Sequence, residues 1–428
     1  MNRRIVRTAH TPHATRTMCI THPARRFTRV AGALLLAAGL AAGSARAEDA
    51  LRPELGKPLQ SAQELLKAQK YKDALARVRD ADAIGGKTAY ETSVIERMRF
   101  IAANGAGDTE VAAKALDALI ATGRLAAADQ QKFAQALAVA YYRARNYAQA
   151  IEWTARYFKD GGNDPQMRTV LIQSRYLAGD FAGAAKDLHT EFAADEKNGG
   201  KPAEERLQML ATCYLKLNDN AGYAGVLEKL VVHYPKKEYW ADLLHRIQKK
   251  PGFADRLALD VFRLKLAGGN PGSASYTMEM AQLALQQGYP AEAKKVVDQG
   301  YAAGVLGSGN EAERHKRLRD LVDKQLAEDR KSLAQSENQA MAAKDGGGLV
   351  NVGFNYVLNG QNDKGLALME QGIARGNLKR PEDAKLHLGV ACLLAGQKAR
   401  AQQVLKTVQG NDGTADLARL WLLHAQRS

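Results

Sequence analysis

Few residues in this chain could perform metal or nucleophilic chemistry. Beyond residue 47 the candidates are Cys213, Cys392, His189, His233, His245, His315, His387 and His424. No two histidines have the H-E-x-x-H spacing that places two zinc ligands on one helix face. The two cysteines lie far apart beside leucines, a setting typical of small buried thiols rather than of a disulfide or a metal pair.

The glycine-rich segments lack the residues of a phosphate-binding loop. The segment Asn198–Lys201 lacks the earlier glycine and the Ser or Thr after its lysine, and Gly346–Gly348 is followed by Leu349. The sequence contains no G-x-S-x-G nucleophile motif and no dinucleotide-binding fingerprint. We therefore predict a protein that is not an enzyme and that needs no cofactor and no metal.

The net charge of +15 is concentrated at the N-terminus. Residues 1–47 hold eight of the 61 basic residues and no acidic residue, so that 53 basic residues face 46 acidic ones in the remainder. This mild excess, with no Arg-rich stripe and no interleaved aromatic residues, does not indicate a nucleic-acid-binding surface.

Residues 1–47 have the three parts of a secretory signal peptide. Basic residues in Arg25–Arg29 precede the apolar run Val30–Ala42, and Ala45–Ala47 forms a small-x-small cleavage site. The apolar run is too short to span a bilayer comfortably. We expect cleavage to leave Glu48 as the first residue of a periplasmic or secreted protein. A twin-arginine signal and a start at Met18 are the alternatives.

A pattern of small and aromatic residues returns about every 34 residues. The aromatic residue before the second helix of a predicted pair moves from Tyr147 to Phe181, a step of 34, and a similar pattern steps by 36 from Gly353 to Gly389. This period is typical of arrays of helix-turn-helix units. The low aromatic content of 6% favours closely packed, alanine-rich helices over a β-sandwich.

Most predicted units have small residues at two fixed positions. The eighth position holds Ala62, Ala138, Ala211, Ala281, Gly353 and Gly389. The twentieth position holds Ala74, Ala150, Ala184, Ala293, Gly365 and Ala401. The predicted turns contain Gly179, Asn218, Gly288, Gly360 and Gly396. Over residues 55–412 the chain resembles the tetratricopeptide repeat (TPR) family, in which small residues let two helices cross closely.

The resemblance implies an all-α fold, an α-α superhelix (TPR-like solenoid) of about nine helix pairs with a C-terminal capping helix. We predict an N-terminal block at 48–308, a charged helical connector or diverged repeat at 309–345, and a C-terminal block at 346–428. The connector is either a diverged repeat or a hinge. A weaker unit begins near Lys237, where Leu244 and Arg256 stand at the two small positions. The capping helix is predicted from Leu417, Leu420 and Trp421, which recur at helical spacing.

In the TPR family the first helix of each unit lines a concave surface. Carrying its surface positions onto this chain implies a groove within residues 131–216. The candidate binding residues are Gln135, Tyr142, Arg143, Thr169, Gln173, Tyr176, Thr212 and Lys216. Tyrosine gives a large contact area at low entropy cost, and amides can pair with an extended peptide. The segment is either a groove for a peptide or protein tail or an ordinary hydrated surface.

The same positions are apolar in the later units. They are occupied by Val350, Phe354, Val357, Leu386 and Val390, and a wall of this kind should not face water. A tight superhelix, a docked helix of this chain or a partner would cover it. We favour internal packing, with segment 310–343 as a possible source of the covering helix.

The preferred function is a non-enzymatic protein-interaction scaffold or adaptor in the bacterial periplasm, with a protein or peptide partner, no nucleic acid and no membrane span. The alternative is an envelope-assembly or chaperone-like factor that holds secreted or outer-membrane proteins. An enzyme or polysaccharide-binding module is the third class, although Trp153, Trp240 and Trp421 are scattered rather than arranged in rows.

Overall fold

The computed structural model describes residues 50–269 and 272–427, and the predicted signal peptide and its cleavage site before Glu48 lie outside these residues. The described residues form twenty α-helices and no β-strand, which confirms the predicted all-α fold class of TPR-like helix pairs. The chain divides into two compact units, one up to Ala178 and one from Gly179. The functional division at 309–345 stays a prediction.

The first unit consists of helices that pack consecutively in pairs. Its helices are α1 (Pro53–Lys67), α2 (Tyr71–Asp82), α3 (Ala89–Ala106), α4 (Thr109–Ala121), α5 (Ala127–Arg143), α6 (Tyr147–Lys159) and α7 (Pro165–Ala178). The first helices also pack on one another, α1 on α3, α3 on α5 and α5 on α7. They therefore form a layer of their own, and one continuous apolar core from Leu55 to Val170 lies between the layers.

The second unit contains the remaining thirteen helices. They are α8 (Phe181–Lys197), α9 (Glu204–Lys216), α10 (Asn220–His233), α11 (Lys237–Gln248), α12 (Ala258–Ala267), α13 (Ala274–Gln286), α14 (Pro290–Ala302), α15 (Ala312–Ala342), α16 (Gly347–Leu358), α17 (Asn362–Arg375), α18 (Pro381–Leu394), α19 (Lys398–Leu405) and α20 (Thr414–Arg427). The predicted connector is thus one helix of 31 residues, α15, which packs against α13, α14 and α16.

The small residues lie where the two helices of a pair cross. Ala62 and Ala74 have no exposed surface, and the same is true of Ala138 and Ala150. The crossing of α16 and α17 is tighter still. A Cβ atom on Gly353 would lie 2.6 Å from the carbonyl oxygen of Gly365, a distance that real Cβ contacts do not reach. The sequence columns therefore correspond to real backbone contacts.

The turns within the pairs share one backbone conformation. A residue with positive φ stands two positions before helices α2, α4, α6, α8, α10, α14, α17 and α19. These residues are Gln69, Gly107, Arg145, Gly179, Asn218, Gly288, Gly360 and Gly396. All five turn residues expected from the sequence have this left-handed conformation, which glycine and asparagine adopt most readily.

An Asp or Asn follows the left-handed residue in four of these turns and caps the next helix. The side chains of Asp108, Asn146, Asp180 and Asp219 each accept a hydrogen bond from the third backbone N–H of the helix that follows. This pairing satisfies an amide that the helix itself leaves without a partner. The turn and the helix start are thus encoded by two adjacent residues.

A buried glutamate joins α1 to α3. The Glu91 carboxylate accepts hydrogen bonds from the Arg52 guanidinium at 2.9 and 3.1 Å and from the backbone N–H of Thr88 at 2.9 Å. Its side chain has no exposed surface. The Arg52 side chain and then the Thr88 N–H lower the pKa of Glu91 from its ordinary 4.5 to about 2.

The capping helix α20 has more neighbours than the sequence suggested. Leu417, Leu420 and Trp421 are buried, as predicted, and α20 packs against α18 and α19. It also packs against α10 and α12, which precede it by well over a hundred residues. Helix α20 therefore closes over both the last pair and an earlier part of the second unit.

Ion pairs line this closure. The Arg256 guanidinium contacts both oxygens of Asp383 at 2.8 and 2.9 Å and one oxygen of Asp412 at 2.5 Å. The Ala254 N–H donates to the Asp412 carbonyl at 2.9 Å. Lys250 pairs with Asp416 at 2.7 Å. Arg256, the large residue at an expected small position, thus joins the segment before α12 to α18 and to the loop before α20.

The apolar wall of the later units is buried. Helix α15 packs on Leu349, Val352 and Tyr356, which are not residues of this wall. Phe354 instead meets the rings of Tyr289 and His387, at centroid distances of 5.1 and 5.7 Å. Internal packing was therefore the right expectation, but segment 310–343 was the wrong source of cover for Phe354.

We predict that Gly353→Ala lowers the free energy of unfolding by about 1–3 kcal/mol, because the added methyl group overpacks the α16–α17 crossing. The control is Gly225→Ala in α10, where the added Cβ would meet no atom within 4 Å. That change should be neutral or stabilising by up to about 1 kcal/mol. Urea unfolding measures both, and equal effects would contradict the close crossing.

We predict that acid destabilises the first unit through Glu91. Because the folded-state pKa is lowered, its contribution is fully present above the unfolded pKa near 4.5 and is lost as pH falls through the folded pKa of about 2. Glu91→Gln should reduce stability at pH 7 and weaken its pH dependence between these values. Urea unfolding at several pH values measures this, and unchanged pH dependence would refute the role of Glu91.

Candidate functional site

Six of the eight candidate residues lie on two adjacent first helices of the first unit. Gln135, Tyr142 and Arg143 lie on α5, and Thr169, Gln173 and Tyr176 lie on α7, which packs against α5. The other two, Thr212 and Lys216, lie on α9 of the second unit. We name the surface formed by Val139, Tyr142, Arg143, Gln173, Tyr176 and Leu177 the α5–α7 surface.

Polar groups on α5 bond to the next first helix and to the loop before it. The Tyr142 hydroxyl donates to the Gln173 side-chain oxygen at 2.8 Å. The Gln135 amide donates to the Asp164 carboxylate, also at 2.8 Å. Tyr142 is half-buried, and this burial raises its pKa. These side chains therefore fix the spacing of α5 and α7 in addition to facing outward.

The exposed part of the α5–α7 surface is basic and apolar. Arg143 is exposed, and Leu177 keeps 46% of its surface exposed although it is a large apolar side chain. Thr169 and Tyr176 are half-buried. Arg143 and Leu177 occupy the same position in consecutive helix-pair repeats. The two exposed side chains therefore lie at equivalent places on α5 and α7. Leu177 was absent from the candidate residues, and its exposure is the signal that identifies it.

The α9 residues have different surroundings. The Thr212 hydroxyl donates to the Gln208 carbonyl at 2.9 Å, within its own helix. Lys216 is exposed in the last turn of α9. The Gln208 amide donates to the Tyr239 hydroxyl at 2.6 Å, and that hydroxyl in turn donates to Glu204. A side chain on α9, the first helix of one pair, thus bonds to α11, the first helix of the next pair, as Tyr142 on α5 bonds to α7.

A buried charged cluster in the second unit was not expected from the sequence. Arg263 donates to both oxygens of Glu292 at 2.7 and 2.6 Å and to Asp260 at 2.8 Å. Its guanidinium lies 5.2 and 4.9 Å from the ring centres of Tyr289 and Phe354. Only 4% of the Arg263 side chain is exposed, so these groups act on each other rather than on a ligand.

His387 connects this cluster to α18. Its Nε2 atom lies 3.1 Å from Asp260 Oδ1. The cost of burial is outweighed by the electrostatic interactions and hydrogen bonds of Asp260 with His387 and Arg263, which hold the pKa of Asp260 far below its usual range. The cluster thereby joins α12, α14 and α18, and its chemistry is that of a structural ion network.

The described part of the chain offers little other chemistry. No group of three or more His, Cys, Asp and Glu side chains in residues 50–269 and 272–427 is arranged to hold a metal ion. Cys213 and Cys392 are both buried, as expected, and burial raises the pKa of Cys213 to about 11. Among the described helices none is long and apolar enough to cross a membrane.

Comparison with known proteins finds similar structures at low identity. No family model and no curated protein matches the chain. A structure of Naa15/Naa10 bound to HypK-THB is 15% identical, with 83% of this chain and 58% of that chain covered and a TM-score of 0.29. The chain therefore spans less than two thirds of that protein.

Two further structures are similar over nearly their whole length. Yeast Tom70 is 13% identical, with 87% of this chain and 95% of that chain covered and a TM-score of 0.24. The TPR domain of P58(IPK) is also 13% identical, with 87% and 97% covered and a TM-score of 0.21. Likenesses at these TM-scores carry no conclusion about partners or activity.

We predict that Tyr142 and Gln173 stabilise the first unit as a coupled pair. Tyr142→Phe should lower the free energy of unfolding by about 0.5–1.5 kcal/mol, because the hydrogen bond to Gln173 is lost. In a Gln173→Ala background the same change should cost much less. A double-mutant cycle by urea unfolding measures the coupling, and additive effects would mean that the hydrogen bond contributes nothing.

Proposed function

We propose that the protein is a non-enzymatic scaffold that binds a protein or peptide partner through the α5–α7 surface. The observation that carries this proposal is that adjacent first helices expose an arginine, Arg143, and a leucine, Leu177, at equivalent positions. Arginine and aromatic side chains are enriched at protein interfaces, and Tyr142 and Tyr176 lie one position before these residues. Such a row can meet successive residues of an extended chain.

The hydrogen bonds beneath this row support binding as well as folding. Tyr142–Gln173 and Gln135–Asp164 hold α5 and α7 in one arrangement before any partner arrives. A surface that is already ordered loses less conformational entropy on binding. The role of the α5–α7 surface thus combines a fixed base with exposed side chains that make the contacts.

A periplasmic or secreted location is part of the proposal. It rests on the basic, apolar and small-residue segments within residues 1–47. Peptide sequencing of the exported protein is expected to start at Glu48, and an uncut N-terminus would refute export by this signal. The chaperone-like alternative receives less support, because the apolar wall around Phe354 is covered by the protein itself.

We predict that the double substitution Arg143→Glu and Leu177→Ser weakens capture of the natural partner about tenfold or more, because it removes the charge and the apolar contact together. Tagged protein is crosslinked in the cells that naturally produce it, and captured proteins are quantified by mass spectrometry. Because both side chains are exposed, stability should change by less than about 0.5 kcal/mol per site.

The matched control changes the same properties elsewhere in the first unit. Lys114→Glu lies on α4, a second helix, and Leu51→Ser replaces another exposed leucine. This control double variant should retain capture. Equal capture by the test and control variants, with both folded, would contradict the α5–α7 surface as the binding site.

A further inference from the structure

A cavity of about 680 Å³ lies between α10, α11 and α20 of the second unit. Its volume falls within the range of sites that bind small molecules and short peptide segments. One wall is the α10 face with Ala221, Ala224 and Gly225. A Cβ atom on Gly225 would meet no atom within 4 Å, which shows that this wall faces open space.

Basic side chains dominate the rest of the lining. Arg246, Lys249, Lys250 and Arg419 line the cavity, against the two carboxylates Glu228 and Asp242. The two guanidinium groups are already matched. Arg246 contacts Asp242 at 2.9 Å, and Arg419 lies 2.8 Å from Glu228. The lining charges that these two pairs leave unmatched belong to Lys249 and Lys250.

The two lysines differ in their partners. Lys250 is 47% exposed at its side chain and pairs with Asp416 at 2.7 Å. Lys249 is exposed and has no ion pair with any residue that the structure describes. Both follow the last turn of α11, where cations also balance the negative helix end. Only an added anion would use the charge that Lys249 leaves uncompensated.

The residues that line this cavity do not form a phosphate-specific site. The nearby N-terminus of α10 is already capped, because the Asp219 carboxylate accepts from the Gly222 N–H at 2.8 Å. Phosphate sites commonly use free helix N-termini or bidentate arginine, and here both are occupied. Lysine ammonium groups beside an open wall of small residues instead suit carboxylates on a chain that lies against α10.

We propose that this cavity binds acidic side chains of an extended peptide, with Lys249 as the cation that contacts a carboxylate. The site is distinct from the α5–α7 surface and uses none of its residues. Failure of either proposal therefore leaves the other standing.

The test uses the folded full chain and fluorescence anisotropy with two labelled peptides, tetraglutamate and tetraglutamine. Tetraglutamate should bind more tightly, and its affinity should fall when salt rises from about 0.05 M to about 0.5 M. Lys249→Ser should weaken tetraglutamate binding about fivefold. Lys398→Ser, which removes another exposed lysine of the second unit, should leave it unchanged.

A second variant, Gly225→Leu, fills part of the cavity and leaves the charges of its lining unchanged. Leucine favours a helix more than glycine does, so the variant should fold while its side chain fills the cavity and blocks tetraglutamate. Equal binding of the two peptides, or equal loss in Lys249→Ser and Lys398→Ser, would overturn the proposal. Inorganic phosphate that binds at Lys249 while tetraglutamate does not would also overturn it.

Discussion

The close approach of two helices in the pairs that have small residues at the crossing is the constraint on which the fold depends. Two helices can cross at this distance only if the residues at the crossing are alanine or glycine, as at Ala138 and Ala150. At Gly353 and Gly365 even one methyl group would collide with the opposite backbone. Once a pair closes in this way, its first helix can pack beside the first helix of the next pair. The positions on the outer side of that layer carry the proposed binding surface.

Polar contacts then set the spacing between successive helix pairs. Tyr142 and Gln173 bridge α5 and α7, and Arg52 and Glu91 bridge the start of α1 to α3. In the second unit the same role falls to charged groups that are buried more deeply, above all Arg263 with Glu292. Removal of one partner from a buried ion pair such as Arg263–Glu292 costs about 3–5 kcal/mol, because the remaining charge stays buried. The polar network therefore fixes one arrangement of an otherwise repetitive set of helices.

The sequence predicts local features well and contacts between distant segments poorly. Alanine and glycine columns and left-handed turn residues depend on neighbours a few residues away, so Gly288 and Gly360 could be assigned from spacing. From the sequence, Arg256 could be recognised only as a large residue at the twentieth position, where most repeats have a small one. Its partners Asp383 and Asp412 lie far along the chain, and no period connects them.

The candidate binding residues show a similar limit. Periodicity places Gln135, Tyr142 and Gln173 on the correct helices, but it does not distinguish a side chain that meets a partner from one that bonds to the next unit. In the structure Gln135, Tyr142 and Gln173 form hydrogen bonds within the protein, and the large apolar side chain of Leu177 is exposed. The cover of Phe354 was missed for the same reason, since Tyr289 and His387 come from different pairs.

Site-specific photo-crosslinking tests the central claim most directly. A photoreactive amino acid replaces Leu177 in one variant and Lys114 in another, and each is irradiated in the cells that naturally produce the protein. The account predicts a discrete covalent adduct with one partner from position 177 and none from position 114. The same adduct pattern from both positions, or an adduct from position 114 alone, would contradict a binding surface built on α5 and α7.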